Sequence, residues 1–250
     1  MWIFDFDGVL LNSLDEVVIS AYNAATGKTL KAIHQLPADL VNLFKRNRFH
    51  FQPAGDVLPL MRWCLENYRS KPDKLLARSE FLDIIQKTDE PLIARTEHFY
   101  AARRRLAQQD PIGWLSLNRP FQPIWNELIE RGSEKVIILT NKNREAVYKQ
   151  CHHFGLLVLE ENIYAGDGGA DKISNLNQLL DRFKEPASGF IDDSLRNLLD
   201  LDTSFNKPVK TLPLYLASWG FIGPDDLNGA RSAGISVLNQ AELIALLKAG

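Results

Sequence analysis

The first dozen residues consist of a short apolar run followed by a polar turn. Ile3, Phe4 and Phe6 predict a short buried strand, although an apolar run of this length does not by itself distinguish a strand from a helix. Two acids one residue apart, Asp5 and Asp7, stand at the end of this run. Because buried carboxylates need compensation, the pair predicts either a divalent cation site or an acidic turn after an edge strand.

From Ser13 to about Arg119, apolar residues recur at the three- and four-residue spacing of helices. Ser13 and Glu16 have the spacing of a capping box at the start of the first helix, and four further helical patterns follow. Alternation typical of strands is scarce here. A stretch of this length is too long for a loop, so residues 13–119 are predicted to form an all-helical insertion.

From Pro120 onward, strand-like runs alternate with helical patterns. The predicted strands are short, apolar and bounded by polar residues; they lie at 136–139, 163–165, 188–191, 212–216 and 235–238. Strands that alternate with helices favour an α/β fold with a doubly wound parallel sheet. Residues 1–12 and 120–250 are therefore expected to form one α/β core, with the helical segment inserted between them.

Polar side chains follow several of these predicted strands. In open parallel sheets, ligands bind outside the carboxyl ends of the strands. Each residue type also suits a turn, a helix cap or a solvated surface, but their joint occurrence at one sheet edge predicts a site. The residues concerned are Asp5, Asp7, Thr140, Asn141, Asp192 and Asp193, with Lys172 opening the helix between the predicted strands at 163–165 and 188–191.

The composition is that of an ordinary globular protein. The 250 residues are 45% hydrophobic and 24% charged, and the net charge is −2. This balance gives no reason to expect a nucleic acid or a membrane as partner. The two cysteines, Cys64 and Cys151, form neither a disulfide framework nor a zinc motif. Without a secretory signal or an apolar span, the chain is expected to be cytoplasmic.

The order of an acid pair, a strand-end threonine, a lysine and a second acid pair resembles the haloacid dehalogenase superfamily of hydrolases. The resemblance is strongest to the phosphoglycolate phosphatase-type branch, and a late Trp219-Gly220-Phe221 element is similar to that branch as well. It implies a Rossmann-like core with an inserted helical cap. The segments that carry it are Asp5-Phe6-Asp7-Gly8-Val9-Leu10, Val136 to Thr140 with Asn141-Lys142, Lys172, and Ile191-Asp192-Asp193-Ser194.

Two positions depart from the family pattern. Asn197 stands where the family often has a further acid, and Asp192 is expected to take that role instead. Lys172 is followed by Ile173 rather than by proline, and Lys142 is a second lysine near the same elements.

The resemblance implies a Mg²⁺-dependent phosphatase that acts through an aspartyl-phosphate. Asp5 would be the nucleophile, and Asp7 would protonate the leaving group and later activate water. Mg²⁺ would be held by Asp5, the backbone carbonyl of Asp7 and Asp193, with Asp192 in the outer shell. The dehalogenases of this superfamily lack the second acid of the first motif, so dehalogenation is not expected.

The phosphoryl group would be bound by further residues of the same motifs, namely Lys172, Thr140, Asn141 and the amides of the turn at Gly8. Two basic clusters of the insertion are candidate contacts to the substrate, which is expected to be a small phosphorylated metabolite. They are Arg46 with Arg48 and His50, and the run Arg103-Arg104-Arg105. Two alternatives stay open, a phosphosugar mutase of the same fold and a non-catalytic protein that binds a phosphorylated ligand. A phospho-acceptor receiver domain is disfavoured by the order of its acids. In receiver domains the acid pair precedes the phosphorylated Asp, and this chain reverses that order.

Overall fold

The computed structural model describes residues 1–51, 53–167, 170–183, 185–207 and 211–249. Contacts divide the chain into two compact units. The core unit comprises Met1–Asn12 and Arg119–Gly250, and the helical unit comprises Ser13–Asn118.

The core unit carries every strand found among the described residues. In chain order these are β1 (Trp2–Phe4), β2 (Leu11–Asn12), β3 (Arg119–Pro120), β4 (Ile137–Leu139), β5 (Ile163–Tyr164), β6 (Gly189–Asp192), β7 (Leu214–Ala217) and β8 (Ser236–Leu238). Six of them form one sheet in the order β5-β4-β1-β6-β7-β8, and every neighbouring pair in it is parallel. Strands β2 and β3 form a separate antiparallel pair. The predicted parallel α/β fold is confirmed.

Helices alternate with these strands in the core unit and fill the helical unit. The helical unit contains α1 (Leu14–Thr26), α2 (Ala38–Arg46), α3 (Val57–Asn67), α4 (Arg78–Gln86), α5 (Leu92–Gln109) and α6 (Pro111–Ser116). The core unit contains α7 (Gln122–Arg131), α8 (Arg144–His153), α9 (Lys172–Arg182), α10 (Leu195–Phe205), α11 (Asp226–Ser232) and α12 (Gln240–Ala249). Of the helices in the described ranges, none has both the length and the apolar character needed to cross a bilayer.

The central strands are buried on both faces. Successive residues of a strand point to opposite sides of a sheet, and here they enter two different apolar clusters. Ile3, Ile137 and Phe190 belong to one cluster, whereas their neighbours Phe4 and Ile138 belong to the other. This burial explains why the strands appear in the sequence as short continuous apolar runs rather than as alternating patterns.

Strand β1 lies in the middle of the sheet, between β4 and β6. Ile3 is in register with Ile137 on one side and with Phe190 on the other. Because all three strands run the same way, their carboxyl ends meet at one edge of the sheet. That edge carries Asp5 after β1, Thr140 after β4 and Asp192 at the end of β6, as the sequence predicted.

The predicted capping box at the start of α1 is wrong. Ser13 is the N-cap residue, but its side chain makes no capping hydrogen bond. Glu16 is fully buried and accepts hydrogen bonds from Arg103 Nε at 2.9 Å, Arg103 Nη2 at 2.7 Å and Ser20 Oγ at 2.7 Å. The carboxylate therefore pairs inside the helical unit, because a buried charge is costly without a partner.

Candidate functional site

The loop after β1 turns back on itself immediately behind the two acids. Asp5 continues the strand, since its N–H donates to Ile191 O at 2.8 Å. Gly8 has φ +90, a conformation that L side chains rarely adopt, and its N–H donates to Leu11 O at 2.8 Å. A Cβ at this position would lie 1.9 Å from Asp193 Oδ2. Glycine is therefore required both for the turn and for the close approach of this acid.

Three buried carboxylates meet at this edge of the sheet. Asp5, Asp192 and Asp193 are 6%, 0% and 7% exposed. Each offers an oxygen within 4.8 Å of the others. A hard divalent cation takes such oxygen ligands, so the donor set fits Mg²⁺. Asp7 does not belong to this cluster by its side chain, and the expected contribution of its backbone carbonyl stays a prediction.

Lys172 joins two of these acids. Its Nζ donates to Asp5 Oδ1 at 2.7 Å and to Asp192 Oδ2 at 2.6 Å. The lysine is the first residue of α9, which is capped by Asp171 through a bond from Ser174 N–H. The sequence predicted Lys172 for this place despite the missing proline after it.

Burial and charge act in opposite directions on this group of side chains. Burial raises the pKa of Asp5 to about 7; Lys172 lowers it, while Asp192 and Asp7 add to the rise. Burial alone would lower the pKa of Lys172, but Asp192 and Asp5 attract its charge, so that its pKa lies above the ordinary value. The lysine consequently stays charged, and Asp5 is poised to lose its proton near neutral pH.

Asp192 is held by several donors. Its Oδ1 accepts from Ser194 N–H at 2.8 Å, and its Oδ2 accepts from Asn197 Nδ2 at 3.0 Å as well as from Lys172. Asn197 occupies the position at which a further acid was considered, and Asp192 was expected to take the role of that acid. The two residues are in contact, because Asn197 donates to Asp192. This bonding favours a role for Asp192 in holding Lys172 beside Asp5.

Asp193 is held by the turn that follows β7. Phe221 N–H donates to Asp193 Oδ2 at 2.7 Å, and Trp219 Nε1 donates to Val9 O at 3.0 Å. A Cβ at Gly220 would lie 2.2 Å from Asp193 Cβ and 2.8 Å from Gly8 O. The turn at 219–221 therefore packs closely against both acid-bearing loops. The sequence singled out this element without predicting what it contacts.

Thr140 and Asn141 follow β4 at the same edge. Thr140 is 2% exposed; its N–H donates to Tyr164 O at 2.9 Å, and its Oγ1 accepts from Lys142 N–H at 3.2 Å. Asn141 is exposed. Gly166 passes so near that a Cβ there would lie 2.5 Å from Asn141 O. Both residues thus occupy the predicted edge, and their contact with a phosphoryl group stays a prediction.

Lys142 contacts the second acid of the first motif, a role that the sequence did not indicate. Its Nζ donates to Asp7 Oδ1 at 2.8 Å, and its side chain is 2% exposed. The two lysines near the site are therefore divided between the two acids of the first motif. The sequence signal was present, because Lys142 directly follows the Thr-Asn pair, but it did not indicate which acid the lysine would contact.

Arg46 lies at the end of α2 in the helical unit. Its side chain is 46% exposed and its Nη2 lies 3.3 Å from Asp73 Oδ1. An exposed arginine with an exposed ionic partner is typical of a solvated surface. Its contact with a substrate stays a prediction.

Solved structures of phosphatases share this fold. A predicted phosphoglycolate phosphatase from Haemophilus somnus matches with a TM-score of 0.60 at 16% identity, over 98% of this chain and 96% of that one. A predicted phosphatase from Clostridium acetobutylicum matches with a TM-score of 0.57 at 14% identity, over 98% and 95%. A haloacid dehalogenase-like hydrolase from Streptococcus pneumoniae matches with a TM-score of 0.55 at 15% identity, over 98% and 96%.

Comparisons of sequence find no such relatives. No family model matches the chain, and no curated protein is similar enough to match. The structural likeness spans nearly the whole length of both chains at low identity, so it identifies the fold. The chain has the fold of the haloacid dehalogenase-like phosphatases, and the resemblance found in its motifs is confirmed at this level.

Proposed function

We propose that the protein is a Mg²⁺-dependent phosphatase that hydrolyses a small phosphomonoester through an aspartyl-phosphate. The observation that carries the proposal is the placement of Lys172 between Asp5 and Asp192, two of the three clustered acids, of which Asp193 is the third. Phosphoryl transfer depends mainly on positioning and charge neutralisation. This sheet edge meets both needs, because it holds a carboxylate nucleophile, a fixed cation and further acidic ligands. The phosphatases that share the fold support the same activity.

The acids would hold the metal ion. Asp5, Asp193 and the backbone carbonyl of Asp7 would bind Mg²⁺ directly, and Asp192, which already accepts from three donors, would act from the outer shell. The ion, when bound, neutralises charge between the anionic nucleophile and the anionic phosphate. Phe221 N–H, by bonding one oxygen of Asp193, fixes the direction of this ligand.

The first step transfers the phosphoryl group to the enzyme. One oxygen of ionised Asp5 attacks phosphorus, and the bond from phosphorus to the ester oxygen breaks with its electron pair on that oxygen. Asp7 gives its proton to the leaving oxygen. Lys172, the Thr140 hydroxyl, the Asn141 amide and the backbone amides at Gly8 stabilise the phosphoryl oxygens.

The second step releases phosphate. Asp7, now ionised, takes a proton from water while the water oxygen attacks phosphorus. The bond between phosphorus and Asp5 breaks, so that Asp5 is again a carboxylate and inorganic phosphate leaves. The proton taken up by Asp7 restores the acid for the next turnover.

The helical unit is proposed to select the substrate. All the residues given a role in the chemistry lie in the core unit, whereas Arg46 lies in the helical unit, which would serve as the cap. The substrate would be a small phosphorylated metabolite, and nucleic acid and membrane partners are not expected. A cytoplasmic location likewise remains a prediction.

A panel of phosphomonoesters tests the proposal. Released phosphate is measured with Mg²⁺ and with excess chelator, for the wild type, for Asp5→Asn and for the control Asp200→Asn, an acid on α10 with a 60% exposed side chain. We expect turnover only with Mg²⁺, none in Asp5→Asn and unchanged turnover in the control. Full activity in excess chelator would refute the dependence on Mg²⁺. An isomerised product, without release of inorganic phosphate, would indicate a mutase. Binding of phosphorylated ligands without any turnover would indicate a non-catalytic protein.

A further inference from the structure

A buried lysine holds the second acid of the first motif. Lys142 Nζ lies 2.8 Å from Asp7 Oδ1, and the lysine side chain is 2% exposed while that of Asp7 is 24% exposed. A buried ammonium group is costly unless it is paired, so Lys142 binds its acid instead of solvent. The side chain of Asp7 is therefore partly accessible, whereas the lysine that bonds it is buried.

The backbone of Lys142 is fixed as well. Its N–H donates to Thr140 Oγ1 at 3.2 Å, and its carbonyl accepts from Gly166 N–H at 3.2 Å. Its ammonium group lies 5.4 Å from the centre of the Phe6 ring, within the range of a cation–π contact. A lysine held at its backbone and at its charged end is a rigid anchor for the carboxylate that it contacts.

The two lysines of the site have separate acids. Lys172 bonds Asp5 and Asp192, whereas Lys142 bonds Asp7. One cation therefore serves the proposed nucleophile, and another serves the proposed proton donor and acceptor.

We propose that Lys142 is a positioning residue, which holds Asp7 through Oδ1 in the orientation needed to exchange a proton with the leaving oxygen and with water. The inference rests on the proposed phosphatase function. The proton moves only between Asp7 and the leaving oxygen, or between water and Asp7, and the proposed step exchanges none with Lys142. A proton transfer by a positioned group contributes about 10²–10⁴-fold in rate, so misplacing Asp7 should cost a sizeable part of that factor.

The test compares Lys142→Met with the matched control Lys149→Met, whose side chain is 58% exposed on α8. With alkyl phosphates, we expect the kcat of Lys142→Met to fall about 10²-fold with little change in KM. With an aryl phosphate, whose leaving group needs no proton, a rapid burst of phenol should persist and should be followed by slow turnover. Phosphorylated protein should accumulate with its label on Asp5, and Lys149→Met should match the wild type.

A double variant shows whether Lys142 acts through Asp7. In an Asp7→Asn background, adding Lys142→Met should cost less than threefold, because the group that it positions is already lost. Losses that multiply would mean that Lys142 acts independently of Asp7, and this would overturn the inference. An equal loss in burst rate and turnover on all esters would overturn it too, since it would indicate a general structural effect.

Other outcomes separate this inference from the proposed function. Wild-type protein that releases no phosphate from any ester would overturn both. Wild-type turnover together with a Lys142→Met variant that behaves like Lys149→Met would overturn the inference alone. Should Lys142→Met fail to fold, Lys142→Arg carries the test: it keeps the charge but moves the donor, so the same split between burst and turnover should appear at a smaller size.

Discussion

Asp5 Oδ1 lies 2.7 Å from Lys172 Nζ, and the two side chains are 8% and 7% exposed. The same ammonium group also bonds Asp192, whose side chain is fully buried. This arrangement places the charge of Lys172 among three buried carboxylates, two of which it contacts directly.

Removing that charge should destabilise the protein. Breaking a buried ion pair by losing one partner costs about 3–5 kcal/mol, because the other charge is left uncompensated. We therefore expect Lys172→Met to lower the free energy of unfolding in urea by about that amount in the absence of metal. Lys149→Met, at an exposed pair, should change it by less than about 1 kcal/mol.

The double variant Lys172→Met with Asp192→Asn provides the internal control. It removes the lysine together with the charge of one of its acids, so it should be more stable than Lys172→Met alone. A double variant that is less stable than the single one would show that Lys172 does not serve to neutralise Asp192.

Metal binding should depend on pH through Asp5. The pKa of Asp5 is raised from 3.8 to about 7, so the folded protein binds this proton more tightly than the unfolded chain does. The stability that this group contributes is fully present below pH 3.8 and is lost as the pH rises to about 7. Since Mg²⁺ binds the ionised carboxylates, it should raise the melting temperature more at pH 8 than at pH 5.

Thermal melts with and without Mg²⁺ at the two pH values measure this effect. Asp5→Asn has no proton to lose, so its metal-free stability should depend less on pH across this window. A wild-type shift by Mg²⁺ that is the same at pH 5 and at pH 8 would contradict the linkage.

The turn after β7 should control metal affinity. Gly220→Ala would place a Cβ 2.2 Å from Asp193 Cβ, so the acid or the turn must move. Disturbing a group that orients a metal ligand typically weakens binding by about 10–100-fold. Mn²⁺ titration followed by electron paramagnetic resonance measures this affinity without any turnover.

Gly229→Ala is the matched control, because a Cβ there meets only the end of the Leu195 side chain, at 2.7 Å. Its Mn²⁺ affinity should equal that of the wild type. Equal affinities in Gly220→Ala and Gly229→Ala would show that the turn does not position Asp193.

Arg46 and Arg103, two arginines of the helical unit, should behave differently when they are replaced. Arg103→Met leaves the fully buried Glu16 without its charged partner, and we expect a loss of about 3–5 kcal/mol in unfolding free energy. Arg46→Ala breaks an exposed pair and should cost less than about 1 kcal/mol in unfolding free energy.

If Arg46 contacts the substrate, its loss should raise the KM for some phosphomonoesters more than for others. Loss of kcat on every ester in a folded Arg46→Ala variant would contradict that role.

The sequence was informative about the sheet because its central strands are buried on both faces. Runs such as Val136 to Leu139 have few competing interpretations when helices flank them, and the parallel order follows from that alternation. The placement of the acids at one edge of the sheet is then a geometric consequence of the parallel order.

Contacts between residues far apart in sequence could not be predicted in this way. The bond between Glu16 and Arg103 spans 87 positions, and the local capping pattern at Ser13 therefore gave the wrong interpretation.

The start of α6 has a local signal in the sequence. Asp110 followed by Pro111 is a typical helix start, and the carboxylate of Asp110 indeed accepts from Gly113 N–H at 2.9 Å at the beginning of α6. The division of Lys142 and Lys172 between the two acids had no such signal. It depends on how β4 and α9 approach β1, which a single sequence does not specify.

The register of β1 has a consequence for the order of folding. Ile3 pairs with Ile137 and Phe190, so the strand at the centre of the sheet has its partners well over a hundred residues further along the chain. Contacts of such high contact order form slowly, and during synthesis β1 must remain without either neighbour until the later segments emerge. The helical unit is contiguous in sequence, so its own contacts can form during that interval. The central strand is thus among the first segments made and among the last to be enclosed.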